Sequence, residues 1–447
     1  MLRWIPLAHA LVCISIAALV AAPHAAAAEA PAPRVVRTLD ECVAIALRQH
    51  PSIGAADSDV EAGRARIGQA RSGYLPQLSG AWSADRSKSS FSSRTGGPSD
   101  TAGGAVARQE AFNFYQGSVS LSQTLFDFGQ TLAAIRAAQA RTDSLAADAD
   151  STRQQIVLEV KQSFFGLLAA RRLAAVAEET VRSNEQQLAQ ARGRNEVGFA
   201  PRLDVTRSEV QLASAELDRL SARNNVAVAE VTLQNALGSD GPIVFELEDV
   251  LEDPVVDPEE RDALSRAYEH RPELRALLAQ QRAAEQDVAQ HQRELLPSVR
   301  GSASYGGSSS EFPLEEQWTV GAAVEVPIFD GGLTLSRVSE SKALLHSLHF
   351  EQQRLRQQIA LEVRTALLDV RRTAEAIRVT ARAVGQAREN LELAEGRYQT
   401  GVGNVIELVD AQRVRTSADA DSVSALYDHR IAIARLEEAI GEELPRP

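Results

Sequence analysis

The chain has 447 residues, 44% of them apolar and 24% charged, and a formal net charge of −13. That acidity argues against nucleic acid as a partner. Two cysteines, Cys13 and Cys42, leave no disulfide framework, and the eight scattered histidines offer no metal-ligand spacing.

In chain order, Arg3 precedes an apolar run from Leu7 to Ala22, followed by Pro23 and the small residues Ala25–Ala28. A basic start, a short apolar core and small residues read as a secretory signal peptide over residues 1–28, cleaved before Glu29. The run is short for a membrane anchor. Cys13 lies inside it and is followed by Ile14, which argues against a lipoprotein. Removing residues 1–28 takes away Arg3 and no acidic residue, so the formal charge goes from −13 to −14. The remaining Cys42, beside Val43, Ile45 and Leu47, reads as a buried small apolar residue. No later apolar run reaches the length of a transmembrane helix. An exported chain of this kind is periplasmic, secreted, or inserted as a β-barrel.

The chain is then written twice. His50-Pro51-Ser52-Ile53 and Leu75-Pro76-Gln77-Leu78 return 221 positions later as Arg271-Pro272-Glu273-Leu274 and Leu296-Pro297-Ser298-Val299. Leu125-Phe126-Asp127, Gln154-Gln155-Ile156, Gly198 and Gly238 return 203 positions later at Ile328-Phe329-Asp330, Gln357-Gln358-Ile359, Gly401 and Gly441. The change of offset places one longer connection in the first half, between Pro76 and Phe126. The division is a first repeat over 29–238, a linker over 239–262 with Pro242, Pro254 and Pro258, a second repeat over 263–441, and a tail over 442–447.

Each repeat opens with a helical stretch, roughly Ser52–Ser72 and Glu273–Glu294. Strands follow. Leu78, Gly80, Trp82 and Ala84 alternate with Gln77, Ser79, Ala81 and Ser83, and Val119, Leu121 and Leu125 with Ser118, Ser120, Ser122 and Thr124. In the second repeat Val299, Gly301, Ala303 and Tyr305 alternate with Ser298, Arg300, Ser302 and Ser304. Trp318, Val320, Ala322, Val324, Val326 and Ile328 alternate with Thr319, Gly321, Ala323, Glu325 and Pro327. One face is Ser-rich and the other apolar or aromatic. A soluble sheet on a core gives this pattern, and so does a membrane barrel with a wet interior. The strands are about ten residues long, as a membrane-spanning strand requires. The connections Arg86–Gln109 and Gly306–Glu311 are Ser/Gly-rich. Four strands cannot close a barrel, which takes about eight, and an open edge in lipid leaves backbone groups unpaired. Strands that span a membrane here must therefore share a barrel between chains.

Proline is absent from Thr131 to about Glu196 and from Leu333 to about Thr400. Apolar residues three and four apart, such as Ile156, Val160 and Leu167, predict single helices of about 100 Å. Returning helices, Leu203–Leu237 and Val405–Ile440, are about half as long. They can stack end to end with the helices that precede the strands. Phe126-Asp127 and Phe329-Asp330, with Gly332, mark the change from strand to helix, Asp serving as N-cap and Gly allowing the bend. The turns carry Gly198 and Arg194 in the first hairpin, and Gly401, Gly403 and Arg397 in the second.

The duplicated Leu/Ile-Phe-Asp strand ends, the Gly turns followed by acidic residues, and Arg397-Tyr398 resemble the TolC-type outer-membrane channel family. The likeness runs from about Leu39 to Gly441. It implies a mainly α chain with a membrane β part. It implies a homotrimer with a 12-stranded outer-membrane β-barrel, continued by a long α-helical periplasmic barrel whose tip opens like an iris. It also implies a passive exit duct of an efflux pump or type I secretion system. Its partners are an adaptor and an inner-membrane pump docking near Gly198 and Gly401, together with outer-membrane lipid.

The resemblance places two lumen-facing carboxylates on Glu407 and Asp410, six in a trimer, which would favour cations and could hold a divalent metal. The bland reading, helix-start carboxylates answering the dipole, stays beside it. The family's tip network falls on Asp204 and Tyr398, but its basic member falls on Gly403, with Arg397 or Arg202 as substitutes. A soluble periplasmic coiled-coil adaptor is the alternative class, although an adaptor needs one hairpin rather than two interleaved with strand pairs. No nucleotide-binding, metal or cofactor motif is present.

Overall fold

The structure, a computed structural model, describes residues 36–88, 111–239, 241, 245–249 and 258–442. The expected leader, most of the Arg86–Gln109 connection, parts of the linker and nearly all of the tail lie outside the described residues. In order, the chain runs β1 (Val36–Arg37), α1 (Leu39–Gln49), α2 (Pro51–Arg71), β2 (Gln77–Lys88), β3 (Ala111–Phe126), α3 (Gln130–Glu196) and α4 (Arg202–Ala236). It then repeats the design with β4 (Glu246–Leu247), α5 (Glu260–His270), α6 (Pro272–Arg293), β5 (Ser298–Ser309), β6 (Glu315–Glu325), α7 (Leu333–Gln399) and α8 (Val405–Ile440).

The helices α3 and α7 have 67 residues each, about 100 Å at 1.5 Å per residue. Corresponding positions are buried in both halves. Ile156, Val160, Phe164 and Leu167 of α3 pack with Leu233 and Leu237. Their mates Ile359, Val363, Leu367 and Val370 of α7 pack with Leu436 and Ile440. Each such side chain contributes about 1.5–3 kcal/mol of burial. The halves also interleave, since α3 packs against α6 and α8 as well as α4.

The expected stretches Ser52–Ser72 and Glu273–Glu294 are α2 and α6, and each is preceded by a short helix that was not expected, α1 or α5. Pro51 and Pro272 stand at the first helical position, and the residues before them, His50 (ψ 126°) and Arg271 (ψ 123°), are extended. Proline forbids the helical conformation to its predecessor, so α1 turns into α2 and α5 into α6. The returning helices end on these corners. A Cβ at Gly238, which has φ +65°, would lie 2.8 Å from His50 Cα. One at Gly441, at φ +82°, would lie 3.1 Å from Arg271 N. In each half, α4 and α8 thus stop where α2 and α6 begin, which is the end-to-end arrangement the sequence suggests.

The strands form one antiparallel sheet in the order β2-β3-β5-β6. Its register places Leu78 opposite Leu121, Val119 opposite Tyr305, and Tyr305 opposite Trp318. On the other face Ser79, Ser120, Ser304 and Thr319 line up, with Ser79 and Ser120 hydroxyls 2.7 Å apart. A bulge between Thr124 and Phe126 lets both Leu125 and Phe126 stay exposed at the foot of β3. Gly306 and Gly307, expected in a loop, lie inside β5. A Cβ at Gly306 would come 2.3 Å from the Gly117 carbonyl oxygen, so glycine here serves close strand approach. Glu260–Asp262, expected in the linker, begin α5. A two-residue parallel pair, β1 with β4, was not anticipated.

Candidate functional site

The sheet's apolar face is bare. Trp318 and Val320 are each 71% exposed, and Leu78, Trp82 and Val324 are similarly open. Among the described residues no second layer covers it, and β2 and β6 present open edges. Among the described residues, no helix is long and apolar enough to cross a membrane.

Below the sheet, each long helix starts from a strand end through an Asp. Glycine, not Asp, takes the N-cap position: Gly129 (φ +83°) and Gly332 (φ +87°) sit in the left-handed region. Asp127, two residues earlier, still reaches in. One carboxylate oxygen accepts from the Tyr74 hydroxyl at 2.8 Å and the Gly129 amide at 3.0 Å, and the other from the Thr131 amide at 2.7 Å. Burial pushes this carboxyl up, but the donors from Thr131, Tyr74 and Gly129 outweigh it and hold it below the ordinary range. Asp330 accepts from the Gly332 amide at 3.0 Å and from the amide and hydroxyl of Thr334 at 2.8 and 2.5 Å. It has no tyrosine, because the position matching Tyr74 is Leu295.

Midway along the helices, charged groups pair both within and between the halves. Lys161 of α3 meets Glu437 of α8 at 2.7 Å, both buried. Buried Arg271 pairs with Glu362 and lies 3.5 Å from Glu438. Asp249, beside β4, receives Arg172 at 2.5 and 2.9 Å and the Tyr427 hydroxyl at 3.0 Å. Burial foremost, and then that bond, push the Tyr427 hydroxyl up to about 12.

At the far end, the two turns use the same backbone device. Gly198 (φ +78°) and Gly401 (φ +79°) turn the chain. The carbonyl of Arg194 accepts the Phe199 amide at 2.8 Å and the Ala200 amide at 3.2 Å. The carbonyl of Arg397, its repeat mate, accepts Val402 at 3.0 Å and Gly403 at 2.8 Å. The side chains diverge. Arg194 crosses to the second hairpin and donates to the carbonyls of Tyr398 and Gln399, each at 2.9 Å. Its guanidinium lies 4.5 Å over the Tyr398 ring. Arg397 pairs with Glu407 at 3.3 Å, and Asp410 with Arg413 at 2.9 Å.

The expected Asp204–Tyr398 contact is not made within the chain. Tyr398 is buried against Val405 and Leu408 and its ring face is taken by Arg194. The Asp204 carboxylate has no partner among the described residues. Its backbone carbonyl accepts the Ser208 hydroxyl at 2.9 Å. The cation on Tyr398 is Arg194, expected only in the turn, and neither Arg397 nor Arg202. At Gly403, where the resemblance expects a basic residue, a Cβ would lie 2.9 Å from Arg397 Cβ and 3.1 Å from its carbonyl carbon, so the turn as folded is tight around glycine. The two acidic residues do not form a metal cluster within the chain, and none occurs among the described residues.

A bare-faced membrane sheet continued by paired 100 Å hairpins defines an outer-membrane channel protein. A family model described as outer membrane efflux protein matches residues 43–239 and 263–442, and the chain belongs to that family. It is 27% identical to the outer membrane protein OprJ of Pseudomonas aeruginosa, over 90% of this chain and 84% of that protein. It is 25% identical to the alkaline protease secretion protein AprF of the same organism, over 88% and 82%. The solved structure of the outer membrane protein VceC of Vibrio cholerae superposes with a TM-score of 0.75 at 19% identity, covering 91% of this chain and 96% of that one. The protein is an outer-membrane channel of the kind that serves efflux pumps and type I secretion, and its family is one of passive channels. A soluble adaptor is not favoured.

Proposed function

We propose that three copies of this chain close one barrel of 3 × 4 strands through the outer membrane, with the Ser-rich face inside and the apolar face against lipid. The helices carry the duct onward. An adaptor and an inner-membrane pump open it at the tip and supply the energy. The observation that carries this reading is the sheet of four strands with two unpaired edges and an uncovered apolar face. Each unpaired backbone group in lipid costs several kcal/mol, and pairing β6 of one copy with β2 of the next removes both edges. Exposed Leu203, Val210, Leu217 and Val231 of α4, at heptad-related positions, form a stripe suited to a neighbouring helix.

Glu407, Asp410, Asp204 and Tyr398, with Arg194 and Arg397, form the gate in this reading. The turns at Gly198, Gly401 and Gly403 meet the adaptor, and Phe199, 87% exposed, presents an apolar contact there. The duct itself carries out no reaction. Native mass spectrometry of the detergent-extracted protein tests the assembly. A trimer is expected. A stable monomer that stays in solution without detergent would refute the reading.

A further inference from the structure

The polar face of the sheet ends in a cavity of about 600 Å³ at the neck, where the strands pass into the helices. Its lining includes Gln77, Ser122, Thr124, Ser298, Gln290 and Arg300. Two lining residues are charged, Asp127 and Arg300. Asp127 is already filled by Tyr74, Gly129 and Thr131. Arg300 stands exposed on the Ser-rich face, opposite Thr124 on β3 and Ala323 on β6, and makes no hydrogen bond or ion pair among the described residues. A planar guanidinium with five donors, set among hydroxyl and amide groups, matches an oxyanion in geometry as well as charge.

We propose that this neck cavity is a binding station for an oxyanion, a carboxylate, sulfonate or phosphate group, held by Arg300 with the surrounding hydroxyl and amide donors. The inference rests on the reading that the Ser-rich face lines the lumen. Three copies then put three guanidinium groups around the neck, where poor screening strengthens their field. The acidic tip and the cationic neck so act on opposite charges.

The test uses the full trimer in detergent and inorganic phosphate as probe, read by phosphorus NMR line width. Wild type is expected to broaden the phosphate signal. R300Q should lose most of the excess width, about fivefold or more, and R300K should keep a good part of it. Equal broadening by wild type and R300Q overturns the station. Since Arg300 has no hydrogen-bond or ion-pair partner among the described residues, neither change removes such a contact there. The lumen reading is tested separately with R300C and a membrane-impermeant thiol reagent on intact cells, where fully buried Cys42 stays silent. Labelling from outside supports the lumen placement. Labelling only after extraction overturns it, whatever the phosphate result, so the two failures are told apart.

Discussion

Arg194 and Tyr398, 204 positions apart, are joined in two ways: the guanidinium covers the ring at 4.5 Å and donates to the tyrosine's own carbonyl at 2.9 Å. This contact crosses from the first hairpin to the second at the tip. A cation over an aromatic ring together with charge-assisted bonds, partly buried, is worth about 1–3 kcal/mol. Arg397, the repeat mate of Arg194, turns instead to Glu407 within its own hairpin. The duplicated backbone turn is therefore used once to tie the hairpins together and once to hold a carboxylate.

Removing that tie is expected to loosen the tip. Arg194→Ala should raise the open population about tenfold, the equivalent of roughly 1.4 kcal/mol. Arg194→Lys keeps the charge without the fork and should fall between. Single-channel recording in planar bilayers measures both. Wild-type conductance and open probability in Arg194→Ala would exclude the contact from the gate.

Asp204 is the repeat mate of Glu407, yet it lacks the arginine that Glu407 has. In the proposed trimer its carboxylate is expected to take a partner from the neighbouring copy. Asp204→Ala should then raise single-channel conductance, and Asp204→Asn should do so less. If neither variant changes conductance or open probability, Asp204 has no place in the gate.

In the proposed duct the tip carboxylates act through a field that their own arginines reduce. Both pairs are exposed, so each contributes little to stability, but each would cancel charge near the lumen. Asp410→Asn is expected to lower the cation-to-anion permeability ratio severalfold, and Arg413→Gln to raise it. Reversal potentials under a potassium chloride gradient decide the matter. Equal potentials in wild type and both variants would show that Asp410 does not face the conduction path.

Much of this architecture was legible because it is local or repeated. Proline-free runs with apolar spacing fixed α3 and α7 to within a residue at each end. Alternation fixed the faces of the sheet, and the offset of 203 put Leu121 in step with Val324. What escaped depends on contacts distant in sequence or on backbone detail. The β1–β4 pair has only two residues per strand, too few for a pattern. The short helices α1 and α5 escape because eleven residues leave little periodicity to read before Pro51 and Pro272. The choice of Arg194 over Arg397 for Tyr398 is made by packing between hairpins, which neither turn's sequence contains.

The neck offers a comparison inside one molecule. Asp127 and Asp330 do the same capping work, but only Asp127 has a tyrosine and is buried. Asp127→Ala should therefore weaken its helix start by about 1–2 kcal/mol, with a smaller loss for Asp330→Ala and an intermediate one for Tyr74→Phe. The carboxyl of Asp127 is held below its ordinary value of 3.8. It stays ionised in the folded chain at a pH where the unfolded chain has already taken up the proton. Its stabilisation is thus complete above the ordinary carboxylate range and is lost as pH falls through the depressed folded value. The penalty of Asp127→Ala should be largest at neutral pH and shrink under acid conditions. Hydrogen exchange of the amides at 129–133 and 332–336, each variant compared with wild type at the same pH, measures this. Equal acceleration at both necks would show that the tyrosine adds nothing to the first one.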